Sequence, residues 1–322
     1  MSQSPGEPPT PQVPARPRRR GPGRHVYAVR RLLAMCVVFA LVAAVLAIVN
    51  LVVGDDDARD RVVASSSTSS SSSTSTTDAT TTTTDATTTT VKPVTVPTRD
   101  DPAEMLVLGD SDAGNFGPPL ESALEATGVV AVAIDYHVSS GLARPDFFDW
   151  PAYMRLVVPA INPDIVVATF GGNDAQGLRT VDGVWVVTRN PGQGKDDTAW
   201  KAEYGRRVGE VMDYLSAGNR TLIWVGIPND DEEINTDRMR VQDEVVRAEA
   251  AARPRVVYID TWAMFSGVDG GWAESIVDPR DGEGKDVRRG DGFHLNEVGG
   301  EILAWKIEQV VLDELRARGA DL

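Results

Sequence analysis

Cysteine is almost absent from this 322-residue chain, and the one thiol, Cys36, falls inside an apolar run near the N-terminus. The remainder therefore has no disulfide, no thiolate nucleophile and no cysteine-based metal site. Histidine is nearly as scarce, with His25, His137 and His294 the full complement. His25 precedes the apolar run and His137 lies in or just after a β-like run, so acid–base chemistry by histidine falls first to His294. Basic charge is short as well. Residues 99–322 hold 22 of the 32 Lys and Arg but 40 of the 47 Asp and Glu, a net charge of −18. A body this acidic is a poor partner for nucleic acid or anionic lipid. No phosphate loop or dinucleotide fingerprint stands at a suitable strand–helix turn. Acidic runs such as Asp230-Asp231-Glu232-Glu233 read as solvated surface. Neither a metal nor a cofactor is expected.

The N-terminal third does not read as globular. Residues 1–31 are rich in Pro and Arg and are expected to be a disordered tail. Leu32 to Val53 is an apolar run broken only by Asn50. At ~1.5 Å per residue such a helix is about 33 Å long, enough to cross a bilayer core. The run is longer than a signal-peptide core and no small-x-small cleavage site follows it. Arg18, Arg19, Arg20, Arg24, Arg30 and Arg31 precede it, and Asp55, Asp56 and Asp57 follow. This asymmetry predicts a single-pass transmembrane helix with the tail in the cytoplasm and the C-terminal bulk extracytoplasmic. Residues 54–98 form a Ser/Thr-rich linker, a tether holding residues 99–322 away from the membrane.

Residues 99–322 alternate between apolar strand patterns and helical periodicity. Strands are predicted at Glu104–Leu108, Val129–Ile134, Ile165–Phe170, Leu222–Gly226 and Val256–Ile259. Helices are predicted at Phe116–Thr127, Trp150–Ile161, Thr198–Leu215, Glu233–Ala252 and Glu297–Ala317. Apolar strands separated by helices imply an α/β domain with a parallel sheet covered on both faces. Two segments break the alternation. Leu178–Asn190 carries a hairpin signal at Asp182-Gly183, and Gly267–Gly290 is rich in Gly and Asp. Both are expected to wall a substrate cleft.

Ligand sites in such sheets lie beyond the carboxyl ends of the strands. Ser111 follows the first strand in a Gly-Asp-Ser turn, Gly141 comes after the second, Asn173 after the third, and Asp291 and His294 after the last. A serine hydroxyl needs a base, which His294 can supply, and Asp291 can hold the imidazole in its working tautomer. The Asn173 amide, with backbone N–H groups of Ser111 and Gly141, can stabilise an oxyanion. Gly141 carries no Cβ to block an approaching substrate oxygen.

Gly-Asp-Ser, the later glycine, Gly-x-Asn-Asp and Asp-x-x-His, in that order over about residues 102–318, resemble the blocks of SGNH/GDSL hydrolases. The segments from Ser139 to Trp150 and from Trp224 to Pro228 look like a less characterised, extracytoplasmic bacterial branch of that class. The resemblance implies a three-layer α/β/α, flavodoxin-like fold. It also implies Ser111 as nucleophile, His294 as base, Asp291 as its orienter, and Gly141 and Asn173 in the oxyanion hole. One position departs from the pattern: Asp112 stands where an apolar residue commonly follows the nucleophile. It is expected to bind backbone N–H groups at the start of the following helix, turned away from the oxyanion.

Three functions fit this reading. The first is a membrane-anchored serine esterase removing acyl groups from cell-envelope glycans or glycolipids. The second is an O-acyltransferase using the same serine with a sugar hydroxyl as acceptor, which needs a multi-pass partner or donor lipid to bring acyl groups outside. The third is a non-catalytic wall-binding or scaffolding domain, since fold does not dictate function.

Overall fold

The computed structural model describes residues 92–187 and 197–322. The expected tail, transmembrane span and most of the linker lie outside the described residues. Among the described residues no helix is long and apolar enough to cross a membrane.

Five parallel strands make the central sheet: β1 (Ala103–Gly109), β2 (Val130–Tyr136), β3 (Ile165–Thr169), β6 (Thr221–Val225) and β7 (Val256–Ile259). Their spatial order is β2-β1-β3-β6-β7. Counting only these strands, that is the 2-1-3-4-5 order of flavodoxin-like folds, with its topological switch point between β1 and β3.

Alternating side chains divide the core into two layers. Met105, Val107, Val167, Ile223 and Val225 face one side. There they pack under α1 (Ser111–Glu125) and α6 (Glu297–Ala317), against Phe116, Leu120, Ile302 and Ile307. Leu106, Leu108, Val166, Leu222 and Trp224 face the other side. That layer is covered by α2 (Trp150–Ile161), α3 (Thr198–Leu215) and α4 (Glu233–Ala251), through Trp150, Met154, Trp200, Tyr204 and Val245. Both faces being buried explains why the strands read as unbroken apolar runs.

The outlying pieces are small. β4 (Leu178–Arg179) and β5 (Trp185–Val186) pair antiparallel around Asp182-Gly183, with Gly183 at φ +78° as a tight turn requires. A short α5 (Thr261–Met264) precedes the antiparallel hairpin of β8 (Ser275–Val277) and β9 (Gly284–Asp286).

Helix α1 begins five residues earlier than its apolar periodicity suggests. Asp110 is its N-cap, accepting a hydrogen bond from the Asp112 N–H, so the polar stretch from Ser111 to Asn115 is already helical. Pro118 and Pro119 lie inside it and have no N–H to give to the carbonyls of residues 114 and 115. The Asn115 carbonyl faces Gly300 of α6 instead, where an added Cβ would sit 3.0 Å from it. This close approach sets α6, and the loop leading into it, against the second turn of α1.

Phe116 has no exposed surface and anchors that turn in the core. Phe116→Ala is expected to cost ~3–5 kcal/mol, read as the fall in unfolding free energy by urea titration. A loss below ~1 kcal/mol would show that α1 is not held by this side chain.

Candidate active site

Ser111 is the first residue of α1, directly after the β1 edge. Its backbone N–H belongs to the unpaired first turn, where the helix dipole is positive. The turn is held by the Asp110 carboxylate, which is wholly buried. Asp110 Oδ1 accepts from the Asp112 N–H at 3.1 Å, and Oδ2 accepts from the N–H groups of Gly171 and Gly172 at 3.1 Å each. Burial, then the neighbouring Asp112 charge, pushes the Asp110 carboxyl well up from its ordinary range, against the pull of these amides.

His294 reaches Ser111 from the far end of the chain. Ser111 Oγ and His294 Nε2 are 2.8 Å apart, and His294 Nδ1 lies 2.8 Å from Asp291 Oδ2. A carboxylate can only accept, so the Nδ1–H donates to Asp291 and the Nε2 lone pair accepts from the serine hydroxyl. The second Asp291 oxygen accepts from the backbone N–H groups of Phe293 and His294, at 3.2 and 3.0 Å. Burial opposes the Asp291 charge, yet the imidazole and these two amides hold its carboxyl below the ordinary range. Asp291 remains half exposed and His294 partly so.

The loop bearing this pair is closed by an antiparallel bridge between Arg288 and Leu295 and by Arg289 N–H donating to the His294 carbonyl at 2.8 Å. Asn115, one helical turn after Ser111, fastens it to α1. Its Nδ2 donates to the Leu295 carbonyl at 2.6 Å, and its Oδ1 accepts from Arg289 at 2.8 Å. Phe293 packs its ring edge on Gly172, where a Cβ would come within 3.0 Å.

Asn173 follows that glycine pair. Its Nδ2 donates to the Ser140 carbonyl at 3.1 Å, which leaves its second amide hydrogen for another acceptor. The Gln176 amide donates to the Asn173 backbone carbonyl. Gly141 sits beside Asn173 on the loop after β2. Among the described residues the N–H groups of Ser111 and Gly141 donate to no protein acceptor. The structure thus brings Ser111, His294 and Asp291 into one hydrogen-bonded row, with Gly141 and Asn173 adjoining.

At position 141 the structure adds a second constraint to the one expected. An added Cβ would lie 2.0 Å from Asp174 Oδ1. The buried Asp174 carboxylate fills that space and holds the loop by accepting from the Leu142 and Ala143 N–H groups and the Tyr204 hydroxyl, at 2.9, 2.8 and 2.8 Å. Asp174 closes the Gly-x-Asn-Asp block, and its place in that block was the only sequence signal of this task.

Asp112 also differs from expectation. The helix-start amide is taken by Asp110, and among the described residues Asp112 Oδ2 has no hydrogen-bond partner. It is buried and turned inward, toward Val225, Thr261 and Leu295. Burial pushes its carboxyl up to about 6, with the charges of His294, Arg288 and Arg289 acting against the rise. Of the two segments expected to line a cleft, the described part of Leu178–Asn190 rests Trp185 on Gly177. Gly267–Gly290 instead supports the imidazole loop, with Trp272 Nε1 donating to the Gly292 carbonyl at 2.6 Å.

Two predictions follow from these contacts. Gly141→Ala forces the Asp174 carboxylate aside, so labelling of Ser111 by a fluorophosphonate is expected to slow ~10²-fold and stability to fall by ~1–3 kcal/mol. Wild-type values in both assays would remove the steric argument. For Asp112, the carboxyl is neutral in folded and unfolded chains below about pH 4, ionised in both above its raised folded value, and costly only when ionised in the folded state. Asp112→Asn should therefore stabilise the protein by ~2–3 kcal/mol more at pH 7.5 than at pH 4. Thermal melts at the two pH values check this, and a pH-independent difference would contradict it.

No curated protein matches the chain. Solved structures do, at low identity. An acetyl xylan esterase variant from Geobacillus stearothermophilus is 17% identical, covering 63% of this chain and 91% of its own, with a TM-score of 0.42. A GDSL-like lipase from Bacteroides thetaiotaomicron is 12% identical, covering 68% and 92%, with a TM-score of 0.44. An α/β hydrolase enzyme from the metagenome of Lake Arreo, Spain, is 16% identical, covering 63% and 91%, with a TM-score of 0.43. One family model matches residues 104–310, well over half of the chain, and takes in every block named above. The protein therefore belongs to the family described as "Protein of unknown function (DUF459)", and it carries the SGNH blocks assembled around Ser111.

Proposed function

We propose that the protein is a serine ester hydrolase, and that its substrates are acylated glycans or glycolipids of the cell envelope. The observation that carries the reading is the row Ser111–His294–Asp291, with 2.8 Å at both contacts, beside N–H groups of Ser111 and Gly141 that donate to no acceptor among the described residues. In this mechanism Ser111 Oγ attacks the ester carbonyl carbon while its proton passes to His294 Nε2. Asp291 stabilises the resulting imidazolium. The carbonyl oxygen, now an anion, accepts from the Ser111 and Gly141 N–H groups and from the second amide hydrogen of Asn173. His294 then gives its proton to the departing alcohol, leaving an acyl–serine. Water, deprotonated by His294, releases the acid and restores the hydroxyl.

The location belongs to the same proposal. The apolar run 32–53 would anchor the chain in the membrane, and residues 54–98 would let the domain reach envelope polymers from the outer side. The partly exposed triad favours water as acceptor. A sugar hydroxyl in its place would make the same acyl–serine a transfer intermediate, supplied by an acyl-exporting membrane partner.

The purified chain should react once with a fluorophosphonate, and Ser111→Ala should abolish the adduct. Ser111→Ala and His294→Ala act on one unit, so the double variant should lose little more activity than either single variant. Losses that multiply would separate the two residues. Asn173→Ala should lower kcat ~10²–10³-fold with KM nearly unchanged. A rise in KM alone would make Asn173 a ground-state contact.

A further inference from the structure

Arg288 follows β9 and is 5% exposed, which is rare for a cation. A guanidinium has five N–H donors, and here five hydrogen bonds engage them. Nε donates to the Ala273 carbonyl at 3.2 Å. One terminal nitrogen donates to the carbonyls of Asn229 and Phe293, both at 2.9 Å. The other donates to Asn229 Oδ1 at 2.6 Å and to the Phe265 carbonyl at 2.9 Å. None of these acceptors is a carboxylate. The guanidinium also lies over the Trp272 ring, 5.8 Å from its centroid. Burial pulls the Arg288 pKa down to about 10, against the more distant charges of Asp112, Asp230 and Asp231.

A buried charge without a bonded counter-ion is expensive, and an apolar side chain of similar volume would commonly stabilise as well or better. What an apolar residue cannot do is fix four segments at defined distances. The Asn229 acceptors belong to the segment after β6, Phe265 follows α5, Ala273 precedes β8, and Phe293 is the residue before His294. The backbone of Arg288 closes the same loop through its bridge to Leu295. Side chain and main chain of one residue thus clamp both ends of the loop that presents the imidazole.

We infer that Arg288 is the positioning residue of the imidazole loop: its buried guanidinium holds His294 in reach of Ser111 by binding the Phe293 carbonyl to three neighbouring segments. The inference rests on Ser111 and His294 being the reacting pair. It gives Arg288 no contact with substrate. Lysine cannot replace it, because an ammonium has three donors and no planar fork.

The test uses the full chain with Arg288→Ala and Arg288→Lys. Two readouts are followed: fluorophosphonate labelling of Ser111 as a function of probe concentration, and the downfield proton NMR signal of the His294 Nδ1–H bonded to Asp291. Arg288→Ala should label ~10²-fold more slowly at saturation, with the half-saturating probe concentration little changed and the NMR signal broadened or lost. Millimolar guanidinium should restore part of the labelling in this variant and none in the wild type. If Arg288→Ala does not fold, Arg288→Lys carries the test, with slowed labelling and a weakened signal expected. A folded variant that keeps both the labelling rate and the signal overturns the inference. So does slowed labelling with an intact signal and no rescue. Should the wild type itself fail to label, the serine mechanism is wrong, and the NMR signal alone decides whether Arg288 places the imidazole.

Discussion

The Asp110 carboxylate holds the site together more than any bond within the triad. One of its oxygens caps the helix that carries Ser111, and the other binds the two glycine amides that lead to Asn173. The distance between the serine and the third-strand turn is therefore the span of a single buried side chain. Its burial disfavours ionisation while the amides favour it, and the amide bonds are what oppose exchanging it for a residue that lacks the two oxygens. An alanine there would strand the buried N–H groups of Asp112 and Gly171, each costing roughly 1–3 kcal/mol, and the part-buried one of Gly172.

The remaining geometry is imposed from outside the reacting row. Asn115 ties the imidazole loop to α1, Phe293 rests on Gly172, and Asp174 fixes the Gly141 loop from below. Ser111, His294 and Asp291 each make few contacts of their own and keep partial access to solvent. Such a division suits the proposed mechanism, because rigidity then resides in residues that would not change protonation during turnover.

The sheet was legible because a parallel sheet buried on both faces forces apolar runs, as in Met105–Leu108, Ile165–Ala168 and Leu222–Val225. The start of α1 was not, since Ser111 to Asn115 carry no apolar period and two prolines follow. Which aspartate caps that helix cannot be read from Asp110-Ser111-Asp112 alone; the backbone angles decide it, and they favour Asp110. Gly141 was marked by its block, but the steric demand of the Asp174 carboxylate, 32 residues further on from Leu142, is a tertiary fact. Arg288 looks like half of a solvated Arg-Arg pair, and only the meeting of Asn229, Phe265 and Phe293 around it reveals a buried cation. Short-range pattern carries the layers and the blocks, while the supports of the site depend on contacts between distant segments.

Ser111 and His294 stand 183 residues apart in the chain and meet at one edge of a sheet built wholly of parallel strands. Contacts of this range are among the slowest to form during folding. Ser111 is synthesised well before α6, which follows His294 in the chain. Until that last helix docks, the Ser111 hydroxyl lacks its contact with His294 and, under the proposed mechanism, its base. Under the proposed mechanism, acyl chemistry would thus be withheld from the nascent and the partly unfolded chain alike, and a reactive Ser111 hydroxyl would mark the completion of the fold.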